Sequence, residues 1–265
     1  MKIIVPIKQV PETSNVKMDP ETGTMVRSGV EPIVNPLDLY AVEEAVRLKS
    51  EYGGEIIAIT MGPPGAHKAL REVISMGCDR GILLSNRKFA GADTWSTSYV
   101  LAQAIKKIDN FDVILCGERA TDGDTGQVGP GIAAWLDIPF STYVSQISEV
   151  NDHKITVKRI VENGYQLVEI EKPTLLTVVK EINFPRLPTL DGKIRSKNTE
   201  IPTWGPEEID ADLSHLGLKG SPTRVVKIST PKVSRDGEKY VPKTEQEMEQ
   251  AVDRIIEFFE EKEIL

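Results

Sequence analysis

Four times between Met1 and Leu136 a short apolar run gives way to a segment carrying helix signals. The runs are Ile3–Ile7, Glu55–Thr60, Gly81–Leu84 and Phe111–Cys116. They are brief, rich in Ile and Val, and lack polar alternation, as strands covered on both faces do. Pro6 removes a ladder donor from the first run and belongs near its end. Asn35-Pro36 opens the first helical segment: Asn35 suits the N-cap, Pro36 the first helical position, and Asp38 the dipole. Gly53-Gly54 stops it. The second segment spans Ala66 to Met76. The third runs from a cap at Asp93 or Thr94 to about Ile108, and the fourth covers about Val128 to Leu136. Parallel strands need crossovers that helices supply, so this alternation specifies a parallel, doubly wound α/β sheet with helices on both faces.

Ligands of such sheets bind outside the carboxyl ends of the strands, at a switch in strand order. Pro6–Lys8, Met61-Gly62, the Asn86–Asp93 loop and the Glu118–Gly129 loop are all carboxyl ends, and Asn35 opens its helix on the same side. The fourth loop places Thr121, Asp122, Gly123, Asp124, Thr125 and Gly126 between a strand and a helix. Glycines let backbone approach a ligand, and a helix N-terminus offers free N–H groups to an anion. The hydroxyls of Thr121 and Thr125 and the Gln127 amide add donors. A second reading stands beside this one: a plain βα turn in which Asp124 or Thr125 caps the helix. The loop matches neither the GxGxxG fingerprint nor the P-loop lysine pattern.

Beyond Leu136 the pattern changes. Ser141–Ile147, Lys154–Val161, Gln166–Ile170 and Thr174–Val179 read as strands, with hairpin turns at Asn151-Asp152 and Asn163-Gly164. They form an antiparallel extension. Residues 181–197 read as an irregular segment with Leu187 and Leu190 outward, either a docking loop or a packed one. Residues 201–242 are rich in Pro, Gly and charge, an extended arm. Thr244–Glu261 is a final helix with Met248, Val252, Ile255 and Phe259 on one face. The expected organisation is an α/β domain with its extension over 1–200 and an arm with its helix over 201–265. A polar stretch from Pro11 to Val34 holds a hairpin signal, with Val16–Met18 and Thr24–Val26 around Asp19–Gly23.

With 32 basic against 40 acidic residues the net charge is −8, which disfavours nucleic acid as a partner. No apolar run is long enough to span a bilayer, and the chain enters a strand pattern at once, so a cytoplasmic location is expected. Two cysteines, Cys78 and Cys116, read as buried thiols. His67, His153 and His215 are scattered, so no metal site is expected. No Ser/His/Asp or Cys/His constellation suggests a catalytic residue.

The whole chain resembles the β (small) subunit of electron transfer flavoproteins. The resemblance is carried jointly by Val5–Lys8, Val34–Asp38, Ala41–Lys49, Thr60–Pro63, Met76–Gly81 and the Cys116–Pro130 loop. It implies an adenine nucleotide alpha hydrolase-like domain that pairs with a larger α subunit carrying FAD. The Thr121–Pro130 loop and Phe89–Thr94 resemble the electron-bifurcating form. There the β site holds a second FAD that takes hydride from NADH, one electron going to ferredoxin and the other, through the α-subunit FAD, to a flavin dehydrogenase of acyl-CoA or lactate type. By that resemblance the cofactor would be held by Pro6, Asn35, Pro36, Leu37, Asp38, Met61, Thr121, Asp122, Gly123, Asp124, Thr125, Gly126, Gln127 and Val128. Phe89, Ala90, Gly91, Ala92, Asp93 and Thr94 would approach NADH, and Leu187 and Leu190 would dock the dehydrogenase. The alternatives are a non-bifurcating carrier subunit with structural AMP and a nucleotide-binding regulatory module without redox work.

Overall fold

The computed structural model describes residues 1–12, 32–226 and 239–264. The hairpin expected within residues 16–26 lies outside them. Two units are distinct, Met1–Val226 and Lys227–Leu265.

The first unit begins with β1 (Lys2–Pro6), followed by the short antiparallel pair β2 (Gln9–Pro11) and β3 (Pro32–Val34). Then come α1 (Asp38–Tyr52), β4 (Glu55–Met61), α2 (His67–Met76), β5 (Arg80–Leu84), α3 (Thr94–Ile108), β6 (Val113–Gly117) and α4 (Val128–Leu136). The extension is β7 (Phe140–Val150), β8 (Lys154–Val161) and β9 (Gly164–Glu171). β10 (Thr174–Val178), α5 (Leu190–Asn198), β11 (Thr203–Trp204) and the single turn α6 (Gly217–Gly220) complete it.

Nine strands form one sheet in the order β11-β5-β4-β1-β6-β10-β7-β8-β9. Pairing is parallel from β11 through β7 and antiparallel from β7 through β9. The expected α/β architecture with an antiparallel extension is therefore present. The chain starts in the middle at β1, builds outward through β4 and β5, then returns to lay β6 on the other side of β1. That reversal is the switch point, and it falls between β1 and β6.

Strand alternation divides the core in two. Ile3 and Val5 pack with Val42, Val46 and Leu70 of α1 and α2 on one face. Ile4 packs with Val100, Leu101 and Ile132 of α3 and α4 on the other. All three β1 residues are fully buried, so the strand that forms one lip of the switch point is anchored from both sides.

Two local expectations change. Asn35 does not cap α1: the helix starts at Asp38, its cap position is Leu37, and no side chain bonds the first amides there. Residues 181–197 are not wholly irregular, because α5 occupies their second half. Thr189 caps it by accepting from the Gly192 N–H at 2.9 Å. The helix lies on α2, with Arg195 Nη2 donating to the carbonyls of Ile74 at 2.7 Å and Cys78 at 3.0 Å. Its short polar sequence carries little apolar periodicity, so its docking is done by hydrogen bonds at the end of α2 rather than by a stripe. Residues 201–226 remain with the first unit, where Thr203 and Trp204 pair with Leu83 and Leu84 at the sheet edge.

The second unit holds α7 (Glu245–Glu261), with Thr244 Oγ1 accepting from the Glu247 N–H. None of its side chains is buried, and Met248, Val252, Ile255 and Phe259 are all exposed. Among the described residues no helix is long and apolar enough to cross a membrane.

Candidate functional site

A cleft of about 530 Å³ opens at the carboxyl ends of β1, β4 and β6, at the switch point. Its floor is Pro6 at the end of β1 with Ile7 and Lys8 just beyond it, and Cys116 and Gly117 from β6. Glu118 to Ala120 and Gly123 to Gly129 form one wall; Ala92, Asp93, Thr94, Thr97 and Leu101 form the other, with Thr223 at the rim.

The close packing of the floor depends on Gly117. A Cβ there would lie 2.5 Å from Asp38 Oδ1 and 2.8 Å from the Leu37 backbone. Asp38 is buried, accepting from the Lys8 N–H at 2.7 Å and from Asn35 Nδ2 at 2.9 Å. Burial pushes its carboxyl up to about 7, against the lowering influence of those two donors. The neighbouring Cys116 thiol is also pushed up, by burial first and by the Asp38 charge second. It is held as a neutral thiol and is no nucleophile.

The cations at the cleft are already paired. Lys8 Nζ lies 2.6 Å from Asp122 Oδ1, and Arg119 Nε lies 3.2 Å from Glu118 Oε1 and 3.1 Å from Asp124 Oδ1. What the wall leaves open is backbone. The N–H groups of Thr125, Gly126, Gln127, Val128 and Gly129 have no hydrogen-bond partner among the described residues. Asp124 and Gly126 take φ values of +54° and +64°, the two left-handed residues that bend this amide run toward α4. Asp124 is thus engaged with Arg119 rather than capping α4, and Thr125 does not cap it either; the helix has no side-chain cap. A Cβ on Gly123 would meet nothing nearer than Lys8 Nζ at 3.9 Å, so the space above it belongs to the cleft.

This lining fits a phosphate-bearing group with a flat ring. Five free amides at a helix N-terminus suit an anion, and Ile7, Met61, Leu101 and Val128 supply apolar surface beside them. The walls meet where Thr94 Oγ1 approaches Gln127 Oε1 at 3.4 Å.

Of the fourteen residues nominated for the cofactor, Pro6, Asp38, Met61, Gly123, Asp124, Thr125, Gly126, Gln127 and Val128 line this cleft. Thr121 and Asp122 belong to the same loop but stand outside the lining, as do Pro36 and Leu37. Asn35 is fully buried beneath the wall. Of the six nominated for NADH, Ala92, Asp93 and Thr94 reach the cleft; Phe89 is buried in the core, and Ala90 and Gly91 are exposed outside the lining. Leu187 and Leu190 are exposed on and just before α5. Sequence reading missed Thr97 and Leu101, although their spacing from Thr94 places all three on one helix face. It also missed Thr223, which no local signal could have joined to Asp93. The Thr223 N–H and Oγ1 both bond Asp93 Oδ2, at 3.0 and 2.7 Å. Burial acts to raise the Asp93 carboxyl, but these donors and the Ser96 N–H hold it below the usual carboxylate range.

Fold and cleft define a doubly wound α/β domain with a cleft at its switch point whose lining suits an anion. The family model described as electron transfer flavoprotein domain matches residues 22–208. The electron transfer flavoprotein subunit beta of Thermoanaerobacterium thermosaccharolyticum is 45% identical over 256 residues, covering 96% of this chain and 98% of the relative. The caffeyl-CoA reductase-Etf complex subunit CarD of Acetobacterium woodii is 46% identical over 239 residues, 90% of this chain and 91% of its own. The acryloyl-CoA reductase electron transfer subunit gamma of Anaerotignum propionicum is 40% identical over 265 residues, 97% and 98% respectively. The chain belongs to the electron transfer flavoprotein family, as one of its β subunits.

Proposed function

We propose that this β subunit holds FAD in its own cleft and works as the NADH-oxidising half of an electron-bifurcating flavoprotein. The supporting observation is the run of five amides from Thr125 to Gly129 that have no hydrogen-bond partner among the described residues and line the cleft, in a loop that resembles the bifurcating form. When bound, the FAD supplies hydride acceptance from NADH and passage of single electrons to ferredoxin and, through the α-subunit FAD, to a dehydrogenase.

The protein's own residues bind, orient and exclude. The amides of Thr125 to Gly129 take the phosphates; Gln127 and Thr94 bridge the walls above them. Lys8 and Arg119 are outnumbered by Asp122, Glu118 and Asp124 in their own pairs, so the site carries no excess positive charge and free anions compete weakly. Ala92, Asp93 and Thr94 form the side from which NADH approaches. The fork of Arg186 fastens the segment before α5 to α1, with Nε to Glu43 Oε2 and Nη2 to Glu43 Oε1 both at 2.8 Å. Leu187 and Leu190 are thereby presented outward for a partner dehydrogenase. The names of the Acetobacterium and Anaerotignum relatives both carry a CoA reductase, which favours an acyl-CoA type of partner over a lactate type. The working complex is a cytoplasmic heterodimer with the α subunit.

Nucleotides released from the purified αβ complex test this. The expected result is about two FAD per heterodimer. One FAD with one AMP would replace the bifurcating reading by that of a simple carrier.

A further inference from the structure

Asn35 is fully buried, absent from the cleft lining, and uses its whole side chain. Nδ2 donates to Asp38 Oδ1 and to the Arg119 carbonyl, both at 2.9 Å, and Oδ1 accepts from the Thr121 N–H at 3.1 Å. Its own N–H donates to the Lys8 carbonyl at 2.8 Å, and its carbonyl accepts from the Asp38 N–H at 2.9 Å. The Lys8 N–H in turn reaches Asp38 Oδ2. The carboxamide therefore ties the start of α1 to the loop leaving β6, and the Asn35 N–H with the Asp38 carboxylate ties both to the exit of β1, the three segments that meet at the switch point.

The chemistry of these partners fixes the residue type. A turned-over carboxamide would set its oxygen against a carbonyl and a carboxylate and its NH₂ against an N–H, so the orientation is determined. Aspartate would lose both donations and face Asp38 with a like charge. Alanine would leave the Thr121 N–H and the Arg119 carbonyl without partners. Only three residues separate Thr121 from Thr125, so the Asn35 anchor sets where the free amides begin.

We propose that Asn35 is a positioning residue for nucleotide binding: without touching the ligand, it holds the Glu118–Gln127 loop at the distance from β1 that turns the Thr125–Gly129 amides into the cleft. This rests on the reading of the cleft as a nucleotide site and departs from the direct contact that family resemblance implies for Asn35.

The test uses the αβ complex with Asn35→Ala and Asn35→Ser. Nucleotide affinity of the β site, stoichiometry of the α-subunit FAD and amide hydrogen exchange are measured on each. Both variants should weaken β-site binding by roughly tenfold or more, the effect of orphaning a buried polar group, and keep the α-subunit FAD. With the β site emptied, exchange should accelerate across 118–127 but not in β1 or β6. Combining Asn35→Ala with Gly126→Val should add little to Gly126→Val alone, because both act through one loop. Weakened binding with unaltered loop exchange would mean direct contact and overturn the proposal. So would unchanged affinity, or unfolding of both variants as a whole, which would place Asn35 in the fold rather than the site. A parent complex with no nucleotide in its β chain would instead overturn the reading of the cleft.

Discussion

The two walls of the cleft are written in the same residues and do different things. Phe89–Thr94 and Thr121–Gly126 both combine Gly, Asp and Thr between a strand and a helix. In the first wall the carboxylate and the amides around it are engaged within the chain, while the N–H groups of Gly91, Ala92, Thr94 and Trp95 have no partner among the described residues. The N–H groups of Lys88, Phe89, Ala90 and Asp93 go to Asn86 Oδ1, the Asn86 carbonyl, the Arg87 carbonyl and Ser221 Oγ. The Asp93 carboxylate caps α3 through the Ser96 N–H at 3.1 Å and fastens Thr223. In the second wall the amides from Thr125 to Gly129 are unengaged. The walls differ in that the first is latched through the Asp93 carboxylate and the second leaves an unbroken run of five amides.

The largest effect that separates them should come from Gly126→Val. A β-branched residue at φ +64° costs on the order of 1–3 kcal/mol and twists the amide run. Equilibrium dialysis of the αβ complex should show β-site nucleotide affinity lowered by at least tenfold, with the α-subunit FAD unaffected. Retained affinity would make the second wall a mere turn.

Asp93→Ala should do the converse. Loss of the α3 cap and the Thr223 anchor should lower stability by about 1–2 kcal/mol, read by chemical denaturation, while nucleotide affinity changes only a few-fold. Because the folded carboxyl is held low, its contribution is present above the unfolded value of about 3.9 and lost as pH falls through the lower folded value. Parent and variant should therefore converge in stability only below about pH 4.

Asp38 gives a pH signature of opposite sign. Its folded pKa of about 7 lies above the unfolded value, so ionisation costs the folded state progressively as pH rises toward 7. Relative to the parent, Asp38→Asn should gain stability between pH 5 and pH 8. A difference independent of pH would show that the carboxyl is already ionised at the lower pH.

The smallest effect is expected at Asp124. Its pair with Arg119 is exposed, and such pairs contribute about 0–1 kcal/mol. Asp124→Asn keeps a residue that tolerates positive φ and frees the guanidinium. Nucleotide binding should tighten a few-fold at low salt and lose that gain at high salt.

The sheet was legible because its information is local. β-branched runs and helix caps announce four crossovers, and those crossovers force a parallel sheet and its open carboxyl edge. The Asp93 cap of α3 was equally plain. Strand order beyond β6 was not: β10 returns to lie parallel between β6 and β7, and no periodicity encodes a neighbour. The helix α5 escaped notice because Gly192 seats it against the Ser75 carbonyl, where a Cβ would come within 2.0 Å, instead of through an apolar stripe. Asn35 was visible as a residue and misread as a cap, since a buried three-way carboxamide and an N-cap look alike in sequence. Thr223 reaches Asp93 from across the chain and leaves no trace near it.

Hydrogen exchange of the αβ complex, with its β site first emptied and then loaded with FAD, tests the account most directly. The account predicts protection gained at Thr125 to Gly129 on loading and no change at Lys88 to Ala90, whose partners are internal. Protection gained at Lys88 to Ala90 with none at Thr125 to Gly129 would contradict it.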